Sequence, residues 1–390
     1  GQKVFDGLSG CATSGGPLAI LGPSGCGKSS LLGLLAGHGP AGGPFASASA
    51  AGQILLDDVD VDQATLRSLV GYVWQDEALH AELTVREVVL FAASLRLKGD
   101  KKACRQRVER VLQDLELEGV ADSTIGGVRK RGISGGEQRR TAVALELVAA
   151  RSMLVLDEPT SGLDSNAALK LCQLLAKLGK DGHIVISSIH QPSPEILSLF
   201  QRVLVMSWEG RVAYWGTPDQ MEAYIERCVP TTSPADFSCA PDRMLDLVSV
   251  RGSDCDLLCS AESKLQDQLS QQQAKPLDPK SEKYRSKRPS FWQQFLELFM
   301  RECRVALRDK SRVPAHYATA IALSLLLGVM YQLPLNLSPG VIGRFGFFFA
   351  IQLMLGFVAM QSLMAFAENY TGCVRECASG YYGLGAFILA

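Results

Sequence analysis

The sequence predicts an α/β fold built on a mostly parallel sheet and continued by a helical region in a membrane. Three observations carry this. Short apolar runs at Leu18–Leu21, Met153–Leu156, Ile184–Ser187 and Val203–Met206 alternate with longer amphipathic stretches across residues 1–250. A glycine-rich loop, Gly22–Ser29, lies between the first of these strands and a helix over Ser29–Ala36. Long apolar runs then follow in the last quarter of the chain.

Taken in order, the elements divide the chain into four parts. Residues 1–250 form the α/β domain. Within it Gly37–Gly52, rich in Gly, Ala, Ser and Pro, reads as a surface insertion, and a strand resumes over Gly52–Asp57. Residues 251–290 are polar, with Gln271, Gln272 and Gln273 in a row and three prolines after them, the composition of a partly disordered linker. Residues 291–312 predict an amphipathic helix at a membrane surface. Phe291, Phe295, Leu298 and Phe299 fall at helical spacing, and Gln294, Glu297, Arg301, Arg304 and Arg308 lie mostly on other faces. Residues 313–390 begin a membrane domain. Ala318–Leu333, extended by His316 and Tyr317, gives a span over about 316–333; Phe345–Ala367 gives a second; a third run starts near Tyr381. Arg301, Arg304, Arg308, Lys310 and Arg312 crowd the entrance to the first span and place that end in the cytosol. The chain opens on Gly1 and stops at Ala390 inside an apolar stretch, as expected of a piece of a longer protein.

Composition excludes some function classes. The 390 residues are 47% hydrophobic and 20% charged, and the net charge of −1 offers no basic field for nucleic acid. The 11 cysteines are odd in number and scattered, which reads as reduced thiols. Cys255/Cys259 and Cys373/Cys377 share a CxxxC spacing but have no second pair or histidines at zinc-ligand spacing.

The chemistry is concentrated in the α/β part. Gly22-Pro23-Ser24-Gly25-Cys26-Gly27-Lys28-Ser29, with Ser30 next, matches G-x-x-x-x-G-K-[ST]. Its glycines let backbone N–H groups curl around phosphates, and the helix N-terminus adds partial positive charge. Lys28 is placed to reach the β- and γ-phosphates and the Ser29 hydroxyl to ligate Mg²⁺. ATP and Mg²⁺ are therefore the expected cofactors. Met153–Leu156 ends in Asp157 and Glu158: Asp157 suits the metal, directly or through water, and Glu158 suits a general base on the attacking water. Ser134-Gly135-Gly136-Glu137, before a long helix, offers a hydroxyl and free N–H groups but no lysine. Two phosphate sites in one domain make sense if two chains dimerise head to tail.

Together these motifs resemble the ATP-binding cassette. Ile133–Glu137 resembles its signature loop. Gln75, in Tyr72-Val73-Trp74-Gln75, resembles the Q-loop glutamine that joins the Mg²⁺ site to the membrane domain. Ser161-Gly162-Leu163-Asp164 resembles the D-loop at the dimer interface, and His190 resembles the switch histidine that contacts the γ-phosphate. The order of the parts, Glu137 at the end of the signature loop, Ser233-Pro234-Ala235-Asp236-Phe237, Leu83–Glu87 and Ser379–Tyr382 are similar to the G subfamily of half-transporters, the white and breast-cancer-resistance-protein type.

The resemblance implies a P-loop α/β cassette with a helical subdomain, followed by an incomplete α-helical transmembrane domain. It implies ATP hydrolysis coupled to export of amphipathic small molecules or lipids. It also implies a second half-transporter as partner, the same or a related chain, contact with membrane lipid, and a cassette on the cytosolic side of the plasma membrane. Alternatives are a soluble-type cassette ATPase, or a fragment that binds ATP without transporting. The sequence departs from the family where Ser233 replaces Asn and where Asp57-Asp58 stands for Asn-Gly or Asp-Gly. Two spans and the start of a third stand where the family has six. The adenine-stacking aromatic is not identified; it would lie near Phe5 or before Gly1.

Overall fold

A computed structural model of the chain describes residues 4–5, 7–38, 52–75, 79–97, 101–126, 132–149, 151–229, 239–250, 252–270, 289–308, 345–353 and 372–390, with isolated positions between 318 and 370. The elements run β1 (Leu18–Leu21), α1 (Lys28–Leu35), β2 (Leu55–Leu56), β3 (Val59–Asp60), α2 (Gln63–Leu69), β4 (Val70–Val73), α3 (Val85–Arg96), α4 (Lys101–Asp114) and α5 (Gly135–Leu147). They continue with β5 (Met153–Leu156), α6 (Ser165–Lys180), β6 (Ile184–Ser188), α7 (Pro194–Leu197), β7 (Arg202–Met206), β8 (Val212–Gly216), α8 (Met221–Cys228), α9 (Ala240–Ser249), α10 (Ser253–Ser270), α11 (Phe291–Arg308) and α12 (Leu384–Leu389).

The main sheet has six strands in the order β4-β5-β6-β1-β7-β8. The first five are parallel and β8 closes the edge antiparallel to β7. Parallel strands are covered on both faces, which is why β1, β4 and β5 are continuous apolar runs with every residue buried. The order also makes β5, β6 and β1 neighbours, so the loops leaving their C-terminal ends share one edge. A helical layer of α3, α4 and α5 packs beside this sheet, sharing a core that includes Val89, Leu112, Leu147 and Leu154.

Four readings from the sequence change. The strand over Gly52–Asp57 shrinks to β2, paired with β3 apart from the main sheet. Asp57 and Asp58 have φ of 51° and 63°, so they form the two-residue left-handed turn of a tight hairpin. Aspartate tolerates that conformation, so the Asp-Asp departure does not break the turn.

The stretch read as a linker begins with α10. Cys255, Leu258, Cys259 and Glu262 are buried, and the helix lies against β8 and α8. Spacing of three, four and seven residues puts them on one face, hidden in the sequence among polar neighbours. Residues 271–288 lie outside the described residues, as do 39–51 of the insertion and Ser233–Phe237.

Helix α11 is amphipathic as expected, but its inward face is partly polar. Leu298 is buried together with Gln294 and Arg301, while Trp292, Leu296, Phe299, Met300 and Leu307 are exposed. This face meets α3 and α12. Arg301 Nη1 donates to both Glu376 carboxylate oxygens, at 2.9 and 2.8 Å, and the guanidinium lies 4.5 Å over the Phe91 ring. Burial would raise the Glu376 carboxyl, but Arg301 outweighs it and holds the group below the usual carboxylate range. At the far end of α11, Arg308 grips both oxygens of Glu87, at 2.6 and 2.8 Å.

The run beginning at Tyr381 also differs. Tyr381 and Tyr382 are buried, and Tyr381 donates to Glu146 Oε1 of α5 at 3.0 Å. A helix over 372–378 leads into them. The expected spans lie largely outside the described residues: only isolated positions of 316–333 are described, and 345–353 of the second is helical. Among the described residues no helix is long and apolar enough to cross a membrane.

The Arg301–Glu376 pair yields a stability prediction. Glu376→Ala leaves Arg301 buried with only the more exposed Glu302, 3.1 Å away, as counter-ion. Glu376 keeps a fifth of its side chain in solvent, so the cost falls near the low end for a broken buried pair, about 3 kcal/mol. Arg301→Met added to Glu376→Ala should recover much of that loss. Thermal unfolding of the four proteins in a double-mutant cycle measures both effects.

Candidate nucleotide-binding and hydrolysis site

The phosphate loop leaves the end of β1 and runs into α1. Gly22 has φ of 152°, and a Cβ there would meet the Met206 carbonyl oxygen at 2.7 Å and Cys26 Sγ at 2.9 Å. Gly27 caps α1 at φ 104°, with no side-chain hydrogen bond to the helix start. The first N–H groups of α1 therefore face the loop without a side-chain cap, which leaves an anion cradle. Lys28 is 5% exposed. Its ammonium donates to the Gly22 and Pro23 carbonyls at 2.8 and 3.0 Å, which folds it back along the loop. Cys26 is buried, and burial pushes its thiol up despite Lys28 nearby. Ser24, Gly25 and Ser29 are exposed and Ser30 is half-buried.

The acidic pair leaves the end of β5 alongside. Asp157 is buried, and its two oxygens accept from different hydroxyls: Ser188 at 2.8 Å and Tyr72 at 3.3 Å. Burial and the Asp157 charge both raise the Tyr72 hydroxyl, so Tyr72 stays a donor. Glu158 has φ of 46°, its N–H donates to Ser188 Oγ at 2.8 Å, and its carboxylate accepts from Gln75 Nε2 at 2.9 Å. Beside them Ser24 Oγ lies 3.4 Å from His190 Nε2. Ser24, Gln75, Glu158, Thr160, Ser161 and His190 line a cavity of about 420 Å³.

The structure thus brings together the phosphate loop, Gln75, Asp157, Glu158 and His190, which come from four separated sequence motifs. It does not bring Ser134, Gly135, Gly136, Glu137 or Asp164 to the cavity lining within one chain. Ser134 and Glu137 form a capping box on α5, with Ser134 N–H donating to Glu137 Oε2 at 2.7 Å and Glu137 N–H to Ser134 Oγ at 3.4 Å. Gly135 faces Leu163, and Asp164 caps α6 by accepting from the Ala167 N–H at 2.9 Å. Sequence reasoning missed Ser188, Tyr72 and Thr160, and it singled out Ser161 for the dimer interface, not for the cavity it lines. A serine closing an apolar strand was the one available signal for Ser188.

The donor set fits a magnesium nucleotide. Gly22 and Gly27 leave no room for a Cβ, a buried ammonium sits at the loop, the Ser29 hydroxyl follows it, and the Asp157 carboxylate lies across from both. Lys28 and the loop amides would hold phosphate, while Ser29, Gln75 and Asp157 would hold Mg²⁺. The metal would supply charge neutralisation at the phosphates.

Tyr72 is itself held by an aromatic stack. Its ring meets His38 at 5.4 Å and Trp74 at 4.5 Å, both edge-on. Burial, with Arg67 adding to it, pushes His38 down to about 4 from 6.5. Between these values the unfolded chain binds a proton that the folded chain refuses. The folded state is therefore favoured at neutral pH, and this advantage is lost as pH falls from 6.5 to about 4. Its size is at most about 3 kcal/mol. His38→Gln should flatten the melting temperature across that window. A profile parallel to wild type would show that His38 titrates freely.

Comparison with known proteins agrees with this geometry. Residues 5–161 match the family model described as ABC transporter, and residues 293–390 match the model described as ABC-2 type transporter. ABC transporter G family member 22 of Arabidopsis thaliana is 31% identical over 100% of this chain and 56% of its own length. Protein white of Drosophila melanogaster is 33% identical over 100% of this chain and 58% of its own. ATP-binding cassette sub-family G member 8 of Homo sapiens is 35% identical over 82% and 50%. The chain spans between half and three fifths of the length of these relatives. With the cassette model matched ahead of the membrane model, and G-type relatives matched across both, the chain belongs to the ATP-binding cassette transporters of the G type.

Proposed function

We propose that this chain is part of a half-transporter that couples ATP hydrolysis to export of amphipathic small molecules or lipids across the plasma membrane. The observation that carries the hydrolytic part is the hydrogen bond from Gln75 to Glu158 at the rim of the cavity. It supports reading Glu158 as the water-activating carboxylate, since Gln75, Glu158 and Ser24 line one cavity and Trp74, next to Gln75 in sequence, lies under Arg375.

The proposed cycle needs two cassettes. Each holds MgATP on its Gly22–Ser29 loop with Ser30 behind it, and the Ser134–Glu137 loop of the partner closes over the γ-phosphate. That Ser134–Glu137 lies off the cavity within one chain is what a head-to-tail dimer requires. Asp164 sits at the dimer face, and His190 contacts the phosphate that leaves. Glu158 takes a proton from the attacking water. Closure reaches the membrane part through two routes. One is Gln75; the other is α11, which Arg308 and Arg301 pin to Glu87 and Glu376. The partner is a second half-transporter, the cassette faces the cytosol, and lipid surrounds the domain that begins near residue 313.

The test is phosphate release by the full protein in lipid-containing detergent. Glu158→Gln should lower turnover on the order of 100-fold or more while nucleotide binding persists. Turnover by Glu158→Gln equal to wild type would overturn the assignment of the base.

A further inference from the structure

We propose that Ser188 is a positioning residue for hydrolysis, fixing the Asp157 carboxylate and the Glu158 backbone through one hydroxyl. The inference rests on the hydrolytic reading of the site above.

Ser188 ends β6 and is fully buried. The parallel register sets Leu156 opposite Ser187 and Ile20 opposite Ser188, so Ser188 comes level with the acidic pair just past β5. Its hydroxyl has one hydrogen, and Asp157 Oδ1 takes it at 2.8 Å. The oxygen then accepts the Glu158 N–H, also at 2.8 Å. With donor and acceptor roles both committed, the hydroxyl cannot rotate without losing a bond. Tyr72 holds the other Asp157 oxygen, so the carboxylate is gripped at both ends.

Glu158 needs this support more than most residues. A φ of 46° is a conformation L side chains seldom adopt, and such strain persists only where the surroundings impose it. Two backbone bonds impose it here. The Glu158 N–H goes to Ser188, and its carbonyl accepts the Ser161 N–H at 3.1 Å. The resulting turn aims the carboxylate at Gln75 and the cavity. His190 leaves the same strand end two residues later. One strand terminus therefore sets three groups of the site.

Ser187 provides an internal control. It is equally buried, yet among the described residues its hydroxyl donates only to the Ser188 carbonyl, at 3.2 Å, and meets no carboxylate. A merely structural role for buried hydroxyls here predicts that Ser187→Ala and Ser188→Ala behave alike.

The experiment compares wild type, Ser188→Ala, Ser188→Cys, Ser187→Ala and Glu158→Gln in the full protein. It reads ATPase kinetics, trinitrophenyl-ATP binding, and Mn²⁺ binding in the presence of ADP by electron paramagnetic resonance. Ser188→Ala should lower kcat roughly tenfold or more, with KM and trinitrophenyl-ATP affinity within about twofold of wild type. It should weaken Mn²⁺ binding several-fold, because Asp157 keeps only the longer of its two hydroxyl bonds, that from Tyr72. Ser188→Cys, with a weaker donor of similar size, should fall between the two. Ser187→Ala should stay within about twofold of wild type in every readout.

The proposal is overturned if Ser188→Ala keeps wild-type kcat and Mn²⁺ affinity. It is equally overturned if the two alanine variants lose activity together. If Ser188→Ala does not fold, Ser188→Cys decides: wild-type turnover and Mn²⁺ affinity there would sink the idea. Wild-type turnover by Glu158→Gln would instead show that the hydrolytic reading itself has failed.

Discussion

Parallel pairing of β5, β6 and β1 is the constraint on which the site depends. Because the three strands run the same way side by side, the phosphate loop, the acidic pair and the histidine leave the sheet at one edge. Residues from about 20 to about 190 are collected there without any loop crossing the core. The loops can then carry strained or exposed groups, such as Gly22, Glu158 and His190, since a sheet buried on both faces holds their roots.

The same edge communicates with a junction of a different kind. Where α3, α5, α11 and the 372–382 segment meet, charged side chains are buried in pairs. Arg96 and Glu146 sit 2.8 Å apart with both nearly inaccessible, and Arg96 and Arg151 both donate to the Ser379 carbonyl. Burial acts to raise the Glu146 carboxyl, but the two arginines more than compensate and hold it ionised. Such pairs add little net stability compared with apolar packing. They do penalise any sliding that separates partners. An apolar contact would tolerate small shifts; a paired charge in low dielectric does not. This suits a joint that must move as one piece. The joint also reaches the site directly: Arg139 of α5 donates to the Trp74 carbonyl at 3.3 Å, and Arg375 lies over the Trp74 ring, one residue before Gln75.

What the sequence made legible follows from the range of each interaction. β1, β5, β6 and β7 were readable because burial on both faces leaves a continuous apolar run. The phosphate loop was readable because its glycines, lysine and serine act within one local turn. Ser188 and Tyr72 were not readable, because their meaning depends on strands that meet only after folding. The polar face of α11 was misread for a related reason. Gln294 and Arg301 share a helical face with Leu298, and only the placement of Glu376 and Gly383 shows that this face is the buried one. Residues 251–290 read as linker because the four buried positions of α10 are diluted by polar neighbours. Burial of Tyr381 and Tyr382 was likewise invisible, since an apolar run looks the same beside lipid and beside α5.

The Ser134–Glu137 loop shows why a motif and a local structural role need not compete. A capping box accounts fully for Ser134 and Glu137 at the start of α5. It satisfies the N–H groups of Ser134 and Glu137 themselves and leaves those of Gly135 and Gly136 at the open end of the helix. With no side chains on those two residues, an anion can approach the amides closely, and the cap need not break to admit it. The acid at position 137 takes part in the cap. In the proposed dimer the cap keeps the loop rigid and the paired glycines supply the binding amides, so the two roles divide cleanly among four adjacent residues.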